Sequence, residues 1–362
     1  MRDVTQCDVV VVGGGIVGAM VAHRLSAARP KRNIIVVDRS LVANGATRFS
    51  AGLHLPYGQS TRTRRMAQQS ERQYDAMARR NASLLVTPIR LFGITTKERA
   101  GAALEHLSNR ARISRTPDVT SSSLPPMTRS GERVVVTADG CHYANAAGVT
   151  EHLVSLLRRR NVRIWEGVRV VSFNPERDVV HIELHDRRAL RAGQVVLAPG
   201  PWICGSPFEH IAERFSIRIK KVISFHVDLA PRRFDPAIYF LDDEAFLLPV
   251  SERGHWLFSY RCRQWDVAPD NDALAIDVSD RQEAVAILEK YFPQLAGKCA
   301  SGRVFCDAYS SDGEPIVAGL PSSRNVVLAG APNGSGYRLA PAMAEEAMTL
   351  LYRNAGAPTQ GE

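Results

Sequence analysis

The sequence predicts an α/β fold, a Rossmann-like nucleotide-binding domain interrupted by an inserted α+β domain built on a mainly antiparallel sheet. Three observations lead there. Residues 8–39, DVVVVGGGIVGAMVAHRLSAARPKRNIIVVDR, read as strand, glycine-rich turn, helix and second strand. A helix–strand unit at 144–165 and an apolar strand at 194–198 resume that pattern much later in the chain. Between and beyond them, 217–229, 237–250 and 255–261 look like antiparallel strands of another sheet.

Asp8–Val12 is apolar and β-branched, as a buried parallel strand is. Gly13, Gly15 and Gly18 follow in G-x-G-x-x-G spacing. The first allows the tight turn, the second lets a pyrophosphate approach the backbone, and the third lets the helix pack close to the strand. Ile16 and Val17 open a helix over 16–28, whose N-terminus offers free N–H groups and a partial positive charge to phosphates. The second strand, Ile34–Val37, ends in Asp38 with Arg39 beside it. An acid there accepts hydrogen bonds from a ribose diol and argues against a 2′-phosphate. The motif alone does not separate FAD from NAD.

Residues 40–60 are rich in small residues, and Thr61–Arg80 reads as a helix. Leu84–Thr95 looks like strands, Lys97–Leu107 like a helix, and 114–132, with Pro117, Pro125, Pro126 and several serines, like a loop. A strand at Val134–Thr137 precedes the Asp139-Gly140 turn. After the helix 144–159 and the strand 162–165, Val168–Phe173 and Val179–His185 form a hairpin, and Gln194–Ala198 ends in APGPW. Asp280–Tyr291 is a helix, Val304–Tyr309 and Val326–Ala329 are strands, and Asn333-Gly334-Ser335-Gly336 opens a final helix to about Arg353. There is no internal repeat. The expected division is 1–83, 141–217 and 303–362 for the nucleotide domain, with 84–140 and 218–302 inserted as the second domain.

A chain of 362 residues holds two domains and a sizeable core, and 45% hydrophobic with 23% charged residues is ordinary for a soluble globular protein. No apolar run approaches the ~20 residues that span a bilayer, and MRDVTQCD leads straight into the first strand with no room for a signal peptide. The cysteines at 7, 141, 204, 262, 299 and 306 form no CxxC pair. A disulfide framework or metal site is therefore not expected, and a cytoplasmic location is. The net charge is +9 and the pI about 9.5. Lysine occurs only at 31, 97, 220, 221, 290 and 298, and the arginines are spread along the chain, densest at 62–65, 79–80 and 158–160. That spread fits a solvated surface better than a nucleic-acid groove.

A second glycine-rich stretch, LAGAPNGSGYRLAP at 328–341, carries Gly330, Gly334 and Gly336 between a strand and a helix. Its amides and helix N-terminus could face the pyrimidine edge of a flavin and stabilise charge developing at N1 and C2=O. A plain tight βα turn is the alternative. No second G-x-G-x-x-G exists, which argues against an enzyme that binds both FAD and NAD(P). Two such sites at opposite ends of the chain fit one extended FAD, with a substrate that reacts with it directly.

The sequence resembles the flavoprotein family of D-amino-acid, glycine and sarcosine oxidases over nearly its whole length. The resemblance rests on GGGIVG with Asp38, ATRFSAG at 46–52, VRIWEGVRVVSF at 162–173, LAPGPW at 197–202, SSDGEPIVAG at 310–319 and GSGYRLAP at 334–341. It implies FAD, and oxidation of the C–N bond of an amino acid or amine to an imine. Ala46, Thr47, Ser50, Ala51, Gly52 and Leu53 would lie along the pyrophosphate and isoalloxazine, and Val170 at the adenine. Ala198, Gly200 and Trp202 would line the dinucleotide. Gly330, with Asn333, Gly334, Ser335, Gly336, Tyr337, Arg338 and Leu339, would face the flavin head.

By the same resemblance, Arg338 stands where sarcosine oxidases carry a carboxylate-binding lysine. A guanidinium there can grip a carboxylate with two parallel bonds. A further carboxylate-binding arginine of glycine oxidases is replaced by Asp307. The substrate then hangs on Arg338 alone, or Asp307 meets an amine, or Asp307 pairs with a nearby arginine. Tyr260 or Arg261 would cap the pocket, and His54 and Tyr57 could line it. The stretch His255–Tyr260 lacks the oxygen-activating lysine of sarcosine oxidases, which leaves O2 and another electron acceptor both open. Cys306 is one residue out of register with a flavin-linking cysteine, so non-covalent FAD is expected. No general base is assigned, because a neutral amine needs orientation more than proton abstraction. The alternatives are a dehydrogenase subunit serving a partner or quinone, a basic flavoprotein acting on RNA, and a flavin-fold binding protein without turnover. Oligomeric state stays open.

Overall fold

In the computed structural model, β1 (Val4–Val12) carries the nucleotide motif into the heart of a sheet. The structure describes residues 4–81, 84, 86–107, 112–114, 122–125, 127, 133–270, 274–321 and 323–356. α1 (Ile16–Ala28) and β2 (Ile34–Val37) complete the first unit, and β1 and β2 pair in parallel with Val9 opposite Ile34. Next come α2 (Ala46–Phe49), the short β3 (Leu53–His54) and α3 (Thr61–Arg80). A reciprocal cap between Ser60 and Thr63 starts α3. β4 (Val86–Pro88), β5 (Leu91–Thr96), α4 (Ala100–His106), β6 (Arg112–Ser114), β7 (Arg133–Ala138) and β8 (His142–Ala144) follow. Most of the loop expected at 114–132 lies outside the described residues.

α5 (Ala146–Arg159), capped by Asn145, leads to β9 (Arg163–Trp165). The expected hairpin is β10 (Val170–Pro175) with β11 (Val180–Leu184), and β12 (Ala189–Leu197) returns beside β1. After α6 (Glu209–Arg214) the chain enters β13 (Arg218–Val227), β14 (Ala237–Phe240), β15 (Ala245–Val250) and β16 (His255–Tyr260). α7 (Val278–Tyr291), α8 (Pro293–Ala296), β17 (Cys299–Tyr309), β18 (Ile316–Leu320), β19 (Ser323–Gly330) and α9 (Gly336–Gly356) complete the order.

The first sheet runs β10-β11-β12-β1-β2-β9, with β19 parallel to β12 and β18 antiparallel to β19. Alternation along its central strands serves two cores. Val9, Val11, Ile34 and Val36 pack with α1, α5 and α9, whereas Val10, Val12, Ile35 and Val37 pack with α6 and the β10–β11 hairpin. Both faces are covered, as a parallel sheet requires.

The second sheet runs β17-β13-β16-β15-β14-β5-β7-β6 and is antiparallel except where β14 meets β5. One face is covered by Ala284, Leu288 and Tyr291 of α7 with Leu295 of α8. The other packs Leu91, Leu248 and Leu257 beside Tyr57, Tyr239 and Phe246. The boundary expected at residue 303 falls inside β17, which pairs with β13 from Cys299 to Tyr309. The chain therefore leaves the second sheet only after Tyr309.

Several surface arginines are paired with carboxylates. Arg24 meets Glu345, Arg62 meets Glu314 and Glu346, Arg158 meets Glu166, and Arg324 meets Asp178. Among the described residues, no helix is long and apolar enough to cross a membrane.

Candidate functional site

A cavity of about 1450 Å³ is lined by both glycine-rich loops and by the open face of the second sheet. At the first loop the packing dictates glycine. Gly13 has φ +107°, and a Cβ there would lie 2.1 Å from the carbonyl oxygen of Ala198. A Cβ on Gly18 would lie 1.9 Å from the carbonyl oxygen of Gly13, so Gly18 serves helix packing and does not itself line the cavity.

The amides at this turn divide into two groups. Gly14 N donates to Asp38 Oδ2 at 2.6 Å, and Ile16 N donates to Thr47 Oγ1 at 3.0 Å. Those of Gly15, Val17 and Gly18 have no protein acceptor among the described residues. An anion is the natural partner for free N–H groups at a helix start, so the cradle fits a dinucleotide pyrophosphate. Asp38 also accepts from Ser40 N at 2.8 Å; burial raises its pKa while the two amides oppose that shift.

Nearby, Arg39 pairs with Asp270 at 2.9 Å and lies over the Trp202 ring at 4.9 Å, while Trp202 Nε1 donates to Asp270 at 2.7 Å. These three residues clasp one side of the cavity. Ala46, Thr47, Ser50, Ala51, Leu53, Val170, Ala198 and Gly200 also line it. Gly52 lines it with φ +64°, where a Cβ would strike the Ala144 carbonyl oxygen at 1.8 Å.

At the second loop, Ala331, Asn333 and Gly334 adopt φ of 44°, 55° and 74°. Asn333 holds this left-handed run with its side chain: Oδ1 accepts from Ser310 N at 2.9 Å and Nδ2 donates to the Ala331 carbonyl at 2.9 Å. Asp307 accepts from Ala308 N at 2.9 Å and Gly334 N at 3.1 Å. It thus meets backbone amides and no arginine among the described residues, and it lines the cavity. Burial pushes its pKa up to about 6 against the pull of the two amides. Gly330, Ser335 and Gly336 line the cavity as well. The ring of Tyr337 stacks on Tyr74 at 4.6 Å, and Tyr74 Oη donates to the Tyr337 carbonyl at 2.7 Å. Leu339 packs with Met66 and Met343. These two side chains anchor α9 beneath the loop.

Arg338 lies in the cavity lining, with its guanidinium 5.8 Å from the centre of the Tyr57 ring. One of its nitrogens donates to Ser335 Oγ, while Nε is buried without an acceptor. No carboxylate pairs with it among the described residues, and burial lowers its pKa. Tyr239 of β14, Phe246 of β15, Lys220 of β13, Tyr309 of β17 and Trp265 line the same cavity. Sequence reasoning missed these five and Asp270.

The other expected site residues divide. Arg261 reaches the cavity rim and pairs with Glu244. Tyr260 turns toward α7: its ring stacks on Phe258 and its hydroxyl donates to the Asp280 carbonyl at 3.0 Å. His54 is fully buried and outside the cavity, stacked on His142 at 4.6 Å. Burial holds its pKa well below the ordinary histidine value. Cys306 lies in the core and does not line the cavity.

The family model described as DAO, FAD dependent oxidoreductase, matches residues 8–350. No curated protein matches the chain. Among solved structures, L-proline dehydrogenase from P. horikoshii is similar at a TM-score of 0.81 and 16% identity, over 99% of this chain and 96% of that one. Glycine oxidase from Geobacillus kaustophilus is similar at 0.79 and 16%, over 99% and 96%. L-alpha-glycerophosphate oxidase from Mycoplasma pneumoniae, solved with FAD bound, is similar at 0.74 and 15%, over 96% and 95%. These structures share the fold. Taken with the match over residues 8–350, they close the argument from the two glycine-rich loops: the chain belongs to the family of FAD-dependent oxidoreductases.

Proposed function

We propose that the protein oxidises the C–N bond of an amino acid whose carboxylate is held by Arg338. The observation that carries this reading is the Arg338 guanidinium, which faces the cavity without a carboxylate partner among the described residues. A charge taken out of water without a partner is unfavourable, and a substrate carboxylate would supply two charge-assisted bonds. Tyr57 and Tyr239 wall this position and exclude water from it. Asp307 and Asn333 hold the Gly334 turn in shape, so that its amides and the start of α9 keep one orientation. Bound FAD supplies the acceptor for the hydride that leaves the carbon next to the amine. The imine so formed hydrolyses in water.

Several finer points belong to the same reading. The cofactor is held non-covalently by the amides of Gly15 and Val17, by Asp38 and by the 330–339 turn. Residues 84–140 and 218–309 form the substrate domain. The six cysteines are free, which suits a reducing cytoplasm. Glycine oxidase and L-proline dehydrogenase have the same fold, so O2 and another electron acceptor are both compatible with it.

The test is anaerobic flavin bleaching with D-, L- and N-methyl amino acids and with simple amines. Arg338→Gln should raise KM for the best amino acid roughly 10- to 100-fold, since a hydrogen bond to a charged group is worth about 1.5–3 kcal/mol. Amines without a carboxylate should be unaffected. Unchanged KM for the amino acid would remove Arg338 from substrate binding.

A further inference from the structure

Lys220 and Lys221 are adjacent on β13, and both are buried, at 3% and 2% exposure. The chain treats them differently. Lys221 points to α7, where its ammonium pairs with Asp280 at 2.7 Å and Asp277 at 3.5 Å. Both residues contribute to the cavity lining, but the Lys220 side chain points away from α7, toward Trp265 and Tyr309. Its ammonium lies 5.0 Å from the centre of the Trp265 ring and 5.2 Å from that of Tyr309. Among the described residues it makes no hydrogen bond and no ion pair. Two aromatic faces stabilise a cation only partly, and the neighbouring lysine shows how this protein satisfies a buried ammonium when no ligand is involved.

The charges nearest Lys220 are engaged, and Arg218, which shares the Trp265 ring, pairs with Asp266. Glu244, in a left-handed backbone conformation with φ 48°, is neutralised by Arg261. Asp307 is engaged by the amides of Ala308 and Gly334. Glu244 and Arg261 act electrostatically on both Lys220 and Tyr239, and Tyr239 in turn feels Arg338. The cavity lining thus carries two largely buried cations, Arg338 and Lys220, without a carboxylate partner among the described residues.

We propose that the substrate is an amino acid with a second carboxylate, bound at one end by Arg338 and at the other by Lys220. The inference rests on the amino-acid reading for its first anchor. The second anchor is argued from Lys220 itself. Lys220 would be a specificity-determining residue: it selects the dianion by supplying a partly desolvated ammonium between Trp265 and Tyr309. Burial and Arg261 lower its pKa to about 8, so it remains mostly protonated at neutral pH.

Binding of unreactive carboxylates tests this without turnover. Malonate, succinate and glutarate are titrated into the FAD-loaded protein, with propionate, butyrate and pentanoate as controls, and the change in flavin absorbance is followed. The best dicarboxylate should bind at least ~10-fold more tightly than the monocarboxylate of equal length. Lys220→Met should abolish that preference while leaving monocarboxylate binding, and Lys220→Arg should restore much of it. Arg338→Gln should weaken both sets.

Equal affinity for mono- and dicarboxylates in the unmodified protein would overturn the proposal. So would a dicarboxylate preference that survives in Lys220→Met. Loss of FAD from Lys220→Met, with carboxylate affinities intact on reloading, would place the ammonium on the cofactor and also overturn it. If dicarboxylates bind with the expected preference while no amino acid bleaches the flavin, the two-anion site stands and the C–N oxidation reading falls.

Discussion

Asp307→Asn is the most informative single change at the flavin-facing loop. The folded pKa is about 6 against an ordinary 3.8. A raised acid pKa means that the folded state binds the proton more tightly. Stability from this group is therefore highest below pH 3.8 and falls as pH rises through about 6. One pKa unit is 1.36 kcal/mol, so the ionised carboxylate disfavours the fold at neutral pH by about 3 kcal/mol. The asparagine removes that dependence. It also weakens one of the two bonds from Ala308 N and Gly334 N, a constant offset of about 1–3 kcal/mol that does not vary with pH. With about 2.1 cal/mol/K of unfolding entropy per residue over 362 residues, the titrating part corresponds to roughly 4 °C in Tm. The assay is calorimetry of FAD-stripped protein from pH 4 to pH 7.5. The Tm of the variant minus that of the parent should rise by this amount across the range. A flat difference would show that the two amides fully offset burial, and a falling one would reverse the sign of the shift.

Two further changes probe the cofactor cradle. Gly18→Ala places a Cβ 1.9 Å from the Gly13 carbonyl oxygen and must displace α1 from β1; it should lower stability by about 1–3 kcal/mol and weaken FAD retention, and a protein that keeps both Tm and FAD affinity would refute the packing argument. Asp270→Ala frees Arg39 and Trp202 from their shared partner; FAD affinity, read by fluorescence titration, should fall about 3- to 10-fold, as loss of about 1 kcal/mol implies, while carboxylate affinity in the loaded protein stays constant. Equal FAD affinity would leave the clasp as a surface feature.

How much was legible depended on whether local pattern or tertiary packing decided the outcome. The N-terminal motif was readable because strand, turn, helix and terminal acid are contiguous, and Gly13 and Gly18 answer backbone contacts with Ala198 and within that unit. Arg338 was reachable through the family resemblance of GSGYRLAP, which sets it beside a glycine-rich turn. Lys220 was not. The sequence places two identical residues side by side, and alternation sends one to each face of β13, but the face that meets the cavity is fixed by α7, whose Asp277 and Asp280 claim Lys221. The same alternation left open where the Tyr260 hydroxyl goes: the residue lines the cavity, but its hydroxyl donates to the Asp280 carbonyl of α7. His54 failed for a similar reason: in a strand of two residues, nothing in the sequence says which one points inward. β18 was missed because Ile316–Leu320 is only half-buried and follows a proline.

The packing of α9 has a consequence for synthesis. Ala340, Ala344, Ala347 and Leu351 fill the same core as Ala19, Met20 and Leu25 of α1, and Tyr74 waits for the Tyr337 carbonyl. A ribosome delivers α1 long before α9, so the nascent chain carries an open apolar groove through most of its elongation. On the proposed cofactor placement, the cradle for its adenosine end is likewise translated first and the turn for its flavin end last. A chain stalled before residue 330 can hold neither a finished core nor the reactive half of its cofactor, and such fragments should be ready substrates for chaperones and proteases.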